Sequence, residues 1–211
     1  MLSSSMGASS TLDTAGIRRR RVAAKTAFDA IGKLDKERMA ALVAFTARTL
    51  KTDRPVPFGC SIVHTRSGEL LLKSLNAVAR EFDPSSHAEV RAIRLATKKL
   101  KTLSLAGYTL YTTCEPCPMC MSTALWAGLD RVVYGATIED ANRHCLQIHI
   151  HATEVAERSD MGCRVVGPVL RDECYALFTH PSMLRAFRTW STRRTRLSAI
   201  RSSATKSSVM K

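Results

Sequence analysis

Hydrophobic positions alternate between two periods along this chain. Met39, Leu42, Val43, Ala47 and Leu50 recur at helical spacing, which predicts an amphipathic helix over 36–51 that Pro55-Val56-Pro57 ends. Cys60 to His64 and Leu70 to Val78 read as two strands joined by a turn at Ser67-Gly68. Asp83-Pro84-Ser85-Ser86 is a turn that leads into a helix start. Beyond it Val90, Ile93, Thr97 and Leu100 mark a buried helix face, with Arg91, Arg94, Lys98, Lys99 and Lys101 mainly on the wet side. Tyr108 to Thr112, Arg131 to Gly135 and Arg164 to Val169 predict three further strands, and Pro118 to Gly128 and Asp172 to Phe178 predict helices. Pro181 interrupts the pattern, and the stretch from Arg185 reads as a basic helix or arm.

Strands alternating with helices predict an α/β protein of three layers, α/β/α, around a mixed five-stranded sheet. The segment 137–162 is long enough for a helical crossover, so the strands at 131–135 and 164–169 are expected to run parallel. There is no internal repeat. Three regions follow: a Ser- and Arg-rich N-terminal extension over 1–35, expected to be disordered and dispensable; a domain over 36–184; and a basic C-terminal tail over 185–211.

Charge sharpens this division. Residues 1–36 hold 7 Lys/Arg and 3 Asp/Glu, giving +4; residues 37–178 hold 17 and 15, giving +2; residues 179–211 hold 8 and 0, giving +8. The centre of the chain is nearly neutral, so the net +14 belongs to the ends and leaves the tail as a candidate phosphate-binding arm. No run approaches 18 consecutive apolar residues, which excludes a membrane-spanning helix and a membrane partner of that kind. The cysteines number seven, and no secretory signal precedes them; reduced thiols in a cytoplasmic compartment are the expectation.

Chemistry concentrates in two short motifs. His87-Ala88-Glu89 follows a turn at a helix start, and Pro116-Cys117-Pro118-Met119-Cys120 lies between a strand and a helix, 30 residues further on. Zn²⁺ takes neutral imidazole and thiolate ligands in a tetrahedron. Two cysteines spaced Cys-x-x-Cys at a helix start sit on one side of the first turn, where unpaired amide N–H groups favour thiolate. Three ligands, His87, Cys117 and Cys120, leave a fourth position open, which is the mark of a catalytic zinc whose water has its pKa brought toward ~7. Glu89 is near enough to exchange protons with that water without binding the metal. Two bland alternatives stand beside this reading: a closed structural zinc site with Cys114 as fourth ligand, and, for His144, His149 and His151, ordinary polar positions on the crossover rather than a second metal site.

Together these motifs match H-x-E…P-C-x-x-C, and the chain resembles the zinc-dependent cytidine/deoxycytidylate deaminase superfamily, purine branch, which includes guanine deaminases and tRNA adenosine deaminases. The resemblance covers about 36–178 and is carried by Pro57-Phe58-Gly59, Leu75-Asn76, Asp83 to Val90, Thr113 to Cys120 and Arg131 to Ala136. It implies a cytidine-deaminase-like fold, zinc on His87, Cys117 and Cys120, and Glu89 as the proton carrier. It also implies that the Ala88 backbone amide and Asn76 contact the base and that Phe58 forms a pocket wall. Asn76 also reads as a turn residue at a strand end, and Phe58 as a core aromatic.

Phe58 and the Cys-Glu-Pro-Cys-Pro-Met-Cys run look like guanine deaminases, as does Ile138-Glu139-Asp140-Ala141. Those enzymes then carry a Gly-Phe-Asp-like turn, whereas this chain reads Ala141-Asn142-Arg143-His144-Cys145-Leu146 with no acid between Asp140 and Glu154. Val169 to Cys174 followed by a basic tail looks like the tRNA-editing group. The resemblance therefore implies a zinc hydrolase that removes an exocyclic amine from a nucleobase, with a free purine base or nucleoside as first reading. The second is adenosine in a tRNA anticodon loop reached through the basic tail, and a third, of another class, is a non-catalytic zinc-stabilised RNA-binding module. A homodimer is also implied.

Overall fold

A computed structural model describes residues 32–190. The expected N-terminal extension up to residue 31, and the tail beyond residue 190, lie outside the described residues. Residues 32–34 are helical and fall in a unit separate from the one that begins at Asp35.

The second unit opens with helix α1 (35–47), which a 3₁₀ turn, Arg48–Lys51, prolongs to the predicted end. Then come β1 (Gly59–His64), β2 (Leu70–Leu75), a single helical turn α2 (Val78–Glu81), α3 (Ala88–Leu100), β3 (Tyr108–Cys114), α4 (Pro118–Trp126) and β4 (Arg131–Ala136). The chain continues through α5 (Ile138–Asn142), α6 (Ala152–Glu157), β5 (Arg164–Val166), α7 (Arg171–Thr179) and α8 (181–190). The five strands form one mixed sheet in the order β2-β1-β3-β4-β5. β1 is antiparallel to β2 and β3, while β3, β4 and β5 run parallel.

Period-two alternation divides the core between the two faces. Ile62, Leu110 and Val132 point to one side, where Ala88, Ala92, Ala96, Met121 and Leu125 of α3 and α4 cover them. Val63, Tyr111 and Val133 point to the other, where Met39 and Leu42 of α1 and Cys174 and Phe178 of α7 cover them. Helices on both faces make the expected α/β/α layering, and they explain why β1 and β3 are buried almost without interruption. Asp35 ties α1 to the sheet. It pairs with Arg131 at 2.7 Å and accepts the Tyr111 hydroxyl at 2.7 Å, on a carboxylate only 3% exposed.

Three elements differ from expectation. β2 ends at Leu75 rather than Val78, because Asn76 turns the chain in an Asx turn just before α2: its Oδ1 accepts the Val78 N–H at 3.0 Å. β5 stops at Val166 rather than Val169, since Pro168 brings no N–H to the ladder. Pro181 begins a helix instead of breaking one. It occupies the first position of α8, where a missing N–H costs nothing. Met183 and Phe187, four residues apart, bury themselves in the α1/α7 cluster, 0% and 6% exposed. The packed chain thus runs past the expected boundary at 184/185, and only Arg185 and Arg188 of the basic tail lie among the described residues, both exposed on α8. Among the described residues no helix is long and apolar enough to cross a membrane.

Candidate metal centre

The site is built on two helix starts. His87 is the N-cap residue of α3 and Cys117 that of α4, both in extended conformation, and Cys120 lies in the first turn of α4. The Cys117 turn follows β3 at the carboxyl end of the parallel pair β3–β4, the usual place for a site in an α/β sheet. The two sulfurs are 3.6 Å apart, and His87 Nδ1 lies 3.7 Å from Cys117 Sγ and 3.5 Å from Cys120 Sγ. A tetrahedron with zinc–sulfur and zinc–nitrogen bonds has edges of about 3.5 to 3.8 Å. The triangle therefore fits one face of a zinc coordination sphere, and the donor set is the borderline-soft one zinc prefers. The Cys120 thiol, donating to Cys117, and the neighbouring His87 ring hold Cys117 down to about 4, a thiolate at neutral pH. Its hydrogen bond to Cys117 pushes His87 up.

Cys114 is not part of this triangle. It is buried at the end of β3, its thiol directed to the Thr137 carbonyl at 3.8 Å. None of the seven cysteines is in a disulfide. The three crossover histidines do not converge. His144 stacks on Phe187 and meets the Tyr175 hydroxyl at 3.1 Å, His149 is exposed, and His151 sits between Glu115 and Glu139.

Glu89 is 6% exposed, in the first turn of α3, and its Oε1 accepts a hydrogen bond from Thr112 Oγ1 at 3.2 Å. Burial pushes its carboxyl pKa up, against the lowering effect of His87. A carboxyl group whose pKa is raised is a better proton acceptor than an ordinary carboxylate and can return the proton it takes. It is outside the set of converging ligand atoms.

The remaining predicted residues are drawn together in part. The Asn76 N–H donates to the Phe58 carbonyl at 3.1 Å, and the Ala77 N–H to the Ser86 carbonyl at 2.9 Å, so the end of β2 lies beside the turn that precedes His87. Ala88, fully buried, is the first residue of α3. Phe58 packs edge-on against Phe178, ring centroids 5.2 Å apart, and touches both core clusters. Its core role is on view.

Two supports of the site are absent from the sequence reading. The turn before His87 is braced by a hydrogen bond and two ion pairs: Ser86 Oγ donates to Glu81 at 2.7 Å, Arg91 pairs with Glu81 at 2.8 Å, and Arg94 with Asp83 at 3.1 Å. Arginines at the spacing of a solvated helix face gave no hint of partners ten residues back. The other is Glu115, a buried acid two residues before Cys117, whose only sequence signal is an uncompensated charge beside the motif.

The model of the cytidine and deoxycytidylate deaminase zinc-binding region matches residues 33–136. A guanine deaminase of Bacillus subtilis is 45% identical over 85 residues, 40% of this chain and 53% of that protein. The chain thus spans about half the length of that relative. A tRNA-specific adenosine deaminase of the same species is 35% identical over 119 residues, 56% of this chain and 71% of that protein. Among solved structures, a guanine deaminase from Nitrosomonas europaea superposes with a TM-score of 0.62 at 25% identity, over 73% of this chain and 84% of that one. The matched region contains both helix starts and all three converging donors, and on fold, motif and relatives alike the chain belongs to the cytidine and deoxycytidylate deaminase zinc-binding family.

Proposed function

We propose that the protein is a zinc-dependent hydrolase that replaces the exocyclic amine of a purine, as free base or nucleoside, by oxygen and releases ammonia. The observation that carries this reading is the buried Glu89 carboxyl beside an imidazole–dithiolate triangle that it does not join. His87, Cys117 and Cys120 would hold the zinc. Bound there, zinc supplies Lewis acidity and makes a water nucleophilic near neutral pH. Glu89 takes a proton from the attacking water, delivers it to a ring nitrogen, and passes a second to the amine. A C–O bond forms, the C–N bond breaks, and ammonia leaves. The Ala88 amide and Asn76, whose Oδ1 is engaged with Val78, would orient the base, the latter through its NH₂ group.

Similarity to guanine deaminases supports a free purine. Similarity to tRNA-specific adenosine deaminases, together with exposed Arg185 and Arg188, supports the second reading, in which an unstacked anticodon-loop adenosine is the substrate. Ammonia release from guanine, adenine, cytosine, their nucleosides and a tRNA separates the two. If Glu89→Ala leaves RNA binding intact and there is no turnover to lose, the protein is a binding module instead. A second copy of the chain would cover the groove of about 670 Å³ between α4 and α6, where Trp126 is 78% and Ile150 40% exposed. Trp126→Glu should then give a monomer by light scattering.

A further inference from the structure

His151 is the N-cap residue of α6, within the crossover between β4 and β5. Its Nδ1 lies 3.1 Å from Glu115 Oε1 and its Nε2 3.3 Å from Glu139 Oε1. A neutral imidazole carries one N–H, so it can satisfy one of these carboxylates and must turn a lone pair toward the other; only the imidazolium donates to both. The geometry asks for the charged ring.

Glu115 gives this ring its importance. Its side chain is 2% exposed, and its carboxylate accepts the Ala152 N–H at 3.0 Å and the Ile138 N–H at 3.3 Å, the first amides of α6 and α5. Its own N–H donates to the Ala136 carbonyl at 2.8 Å. One buried residue thus ties the end of β3 to β4 through its backbone and to α5 and α6 through its carboxylate, and Cys117 follows two residues later. Among the described residues His151 is the only cation within ion-pair distance of it. A buried carboxylate without its counter-charge is costly, and it relaxes by moving.

We propose that His151 is a positioning residue of the metal centre: held as an imidazolium between Glu115 and Glu139, it fixes the Glu115-Pro116-Cys117 turn and so slows release of the metal. The inference rests on zinc binding at His87, Cys117 and Cys120, and not on which base is deaminated. The charged groups that face the ring are Glu115, Glu139 of α5 and Glu154 of its own helix. All are acidic, and they hold the imidazole above its ordinary pKa, the Glu115 hydrogen bond foremost. The proton is therefore fully present below the ordinary imidazole value and is lost as pH rises through the raised one, and with it the second hydrogen bond.

The test follows the His151 ring by NMR in the zinc-loaded full chain, alongside the rate of zinc transfer to a colorimetric chelator from pH 6 to 9. We expect zinc release to accelerate with the same midpoint as His151 deprotonation. Glu139→Gln, at an exposed position, should move both midpoints down together. His151→Gln should release zinc about 10-fold faster at pH 6.5, the lower end for outer supports of a ligand, and should lose the midpoint. His151→Lys, which keeps a cation, should restore slow release. Release that ignores the His151 titration, or midpoints that part in Glu139→Gln, would overturn the proposal. So would a second zinc equivalent that vanishes in His151→Gln, since the cluster would then be a metal site. Failure to deaminate any base would leave these readouts standing and would count only against the proposed activity.

Discussion

Thr112 Oγ1 donates to Glu89 Oε1 at 3.2 Å, joining the third strand to the first turn of α3 inside the core. The bond holds the carboxyl group in one orientation beside the metal triangle. A positioned acid–base group contributes ~10² to 10⁴ in rate, and here one carboxyl serves every proton transfer. Glu89→Ala is expected to lose about 10⁴ in kcat or more while zinc content and folding stay near those of the parent. Thr112→Val should cost far less, about 10-fold, the scale of one buried hydrogen bond. A Glu89→Ala protein that keeps a tenth of its turnover would refute the assignment.

Metal content separates an open site from a closed one. Cys117→Ala removes one corner of the triangle and should reduce zinc well below one equivalent per chain. Cys114→Ser should leave zinc and turnover unchanged, because the Cys114 thiol is directed to the Thr137 carbonyl and not to the other sulfurs. Elemental analysis of the two purified variants decides this, and zinc loss in Cys114→Ser would revive the four-ligand structural site.

The brace in front of His87 has a defined pH window. Hydrogen bonds from Ser86, Arg80 and Arg91 lower Glu81 from its ordinary value to about 2, and Ser85 and Arg94 lower Asp83 as well. Both folded values are depressed, so their contribution is complete above the ordinary carboxylate range and is lost only as pH falls through the lowered values. Arg91→Ala should therefore loosen the 81–87 turn equally at pH 6 and pH 9, seen as faster amide exchange there. An effect confined to alkaline pH would contradict the ion-pair account.

The metal triangle could be read from the sequence because its geometry is local: an N-cap position and a Cys-x-x-Cys helix turn fix where the donors point. The order of strands and helices likewise carried the three-layer sheet. Long-range pairing could not be read. Glu115 meets His151 across 36 residues and Asp35 meets Arg131 across 96, and no periodicity links such partners. Asn76 and Phe58 carried two readings each because a strand-end amide and a buried ring serve structure and ligand alike. The end of the domain was not legible because the two anchors Met183 and Phe187 stand between a proline and a run of arginines, too short a stretch to set a helical period.

That last element sets the outcome of truncation. Helix α8 buries Met183 and Phe187 against α1 and α7, while Arg185 and Arg188 point outward. Full burial of such side chains is worth roughly 1.5 to 3 kcal/mol each, and small domains have only about 5 to 15 kcal/mol in total. Cutting the chain after Ser182 should therefore yield an insoluble or largely unfolded protein. Cutting after Trp190 keeps both anchors and removes Arg193, Arg194, Arg196 and Arg201, and its thermal midpoint should stay within a few degrees of the parent. If the substrate is a free purine, turnover per zinc in this longer form should stay within about threefold, since no arginine of the tail would touch the base. If the substrate is tRNA, each lost phosphate contact should weaken binding and lower the slope of log affinity against log salt by about 1. A chain cut after Trp190 that keeps its midpoint yet fails on every small substrate would show that residues beyond 190 help to form the pocket.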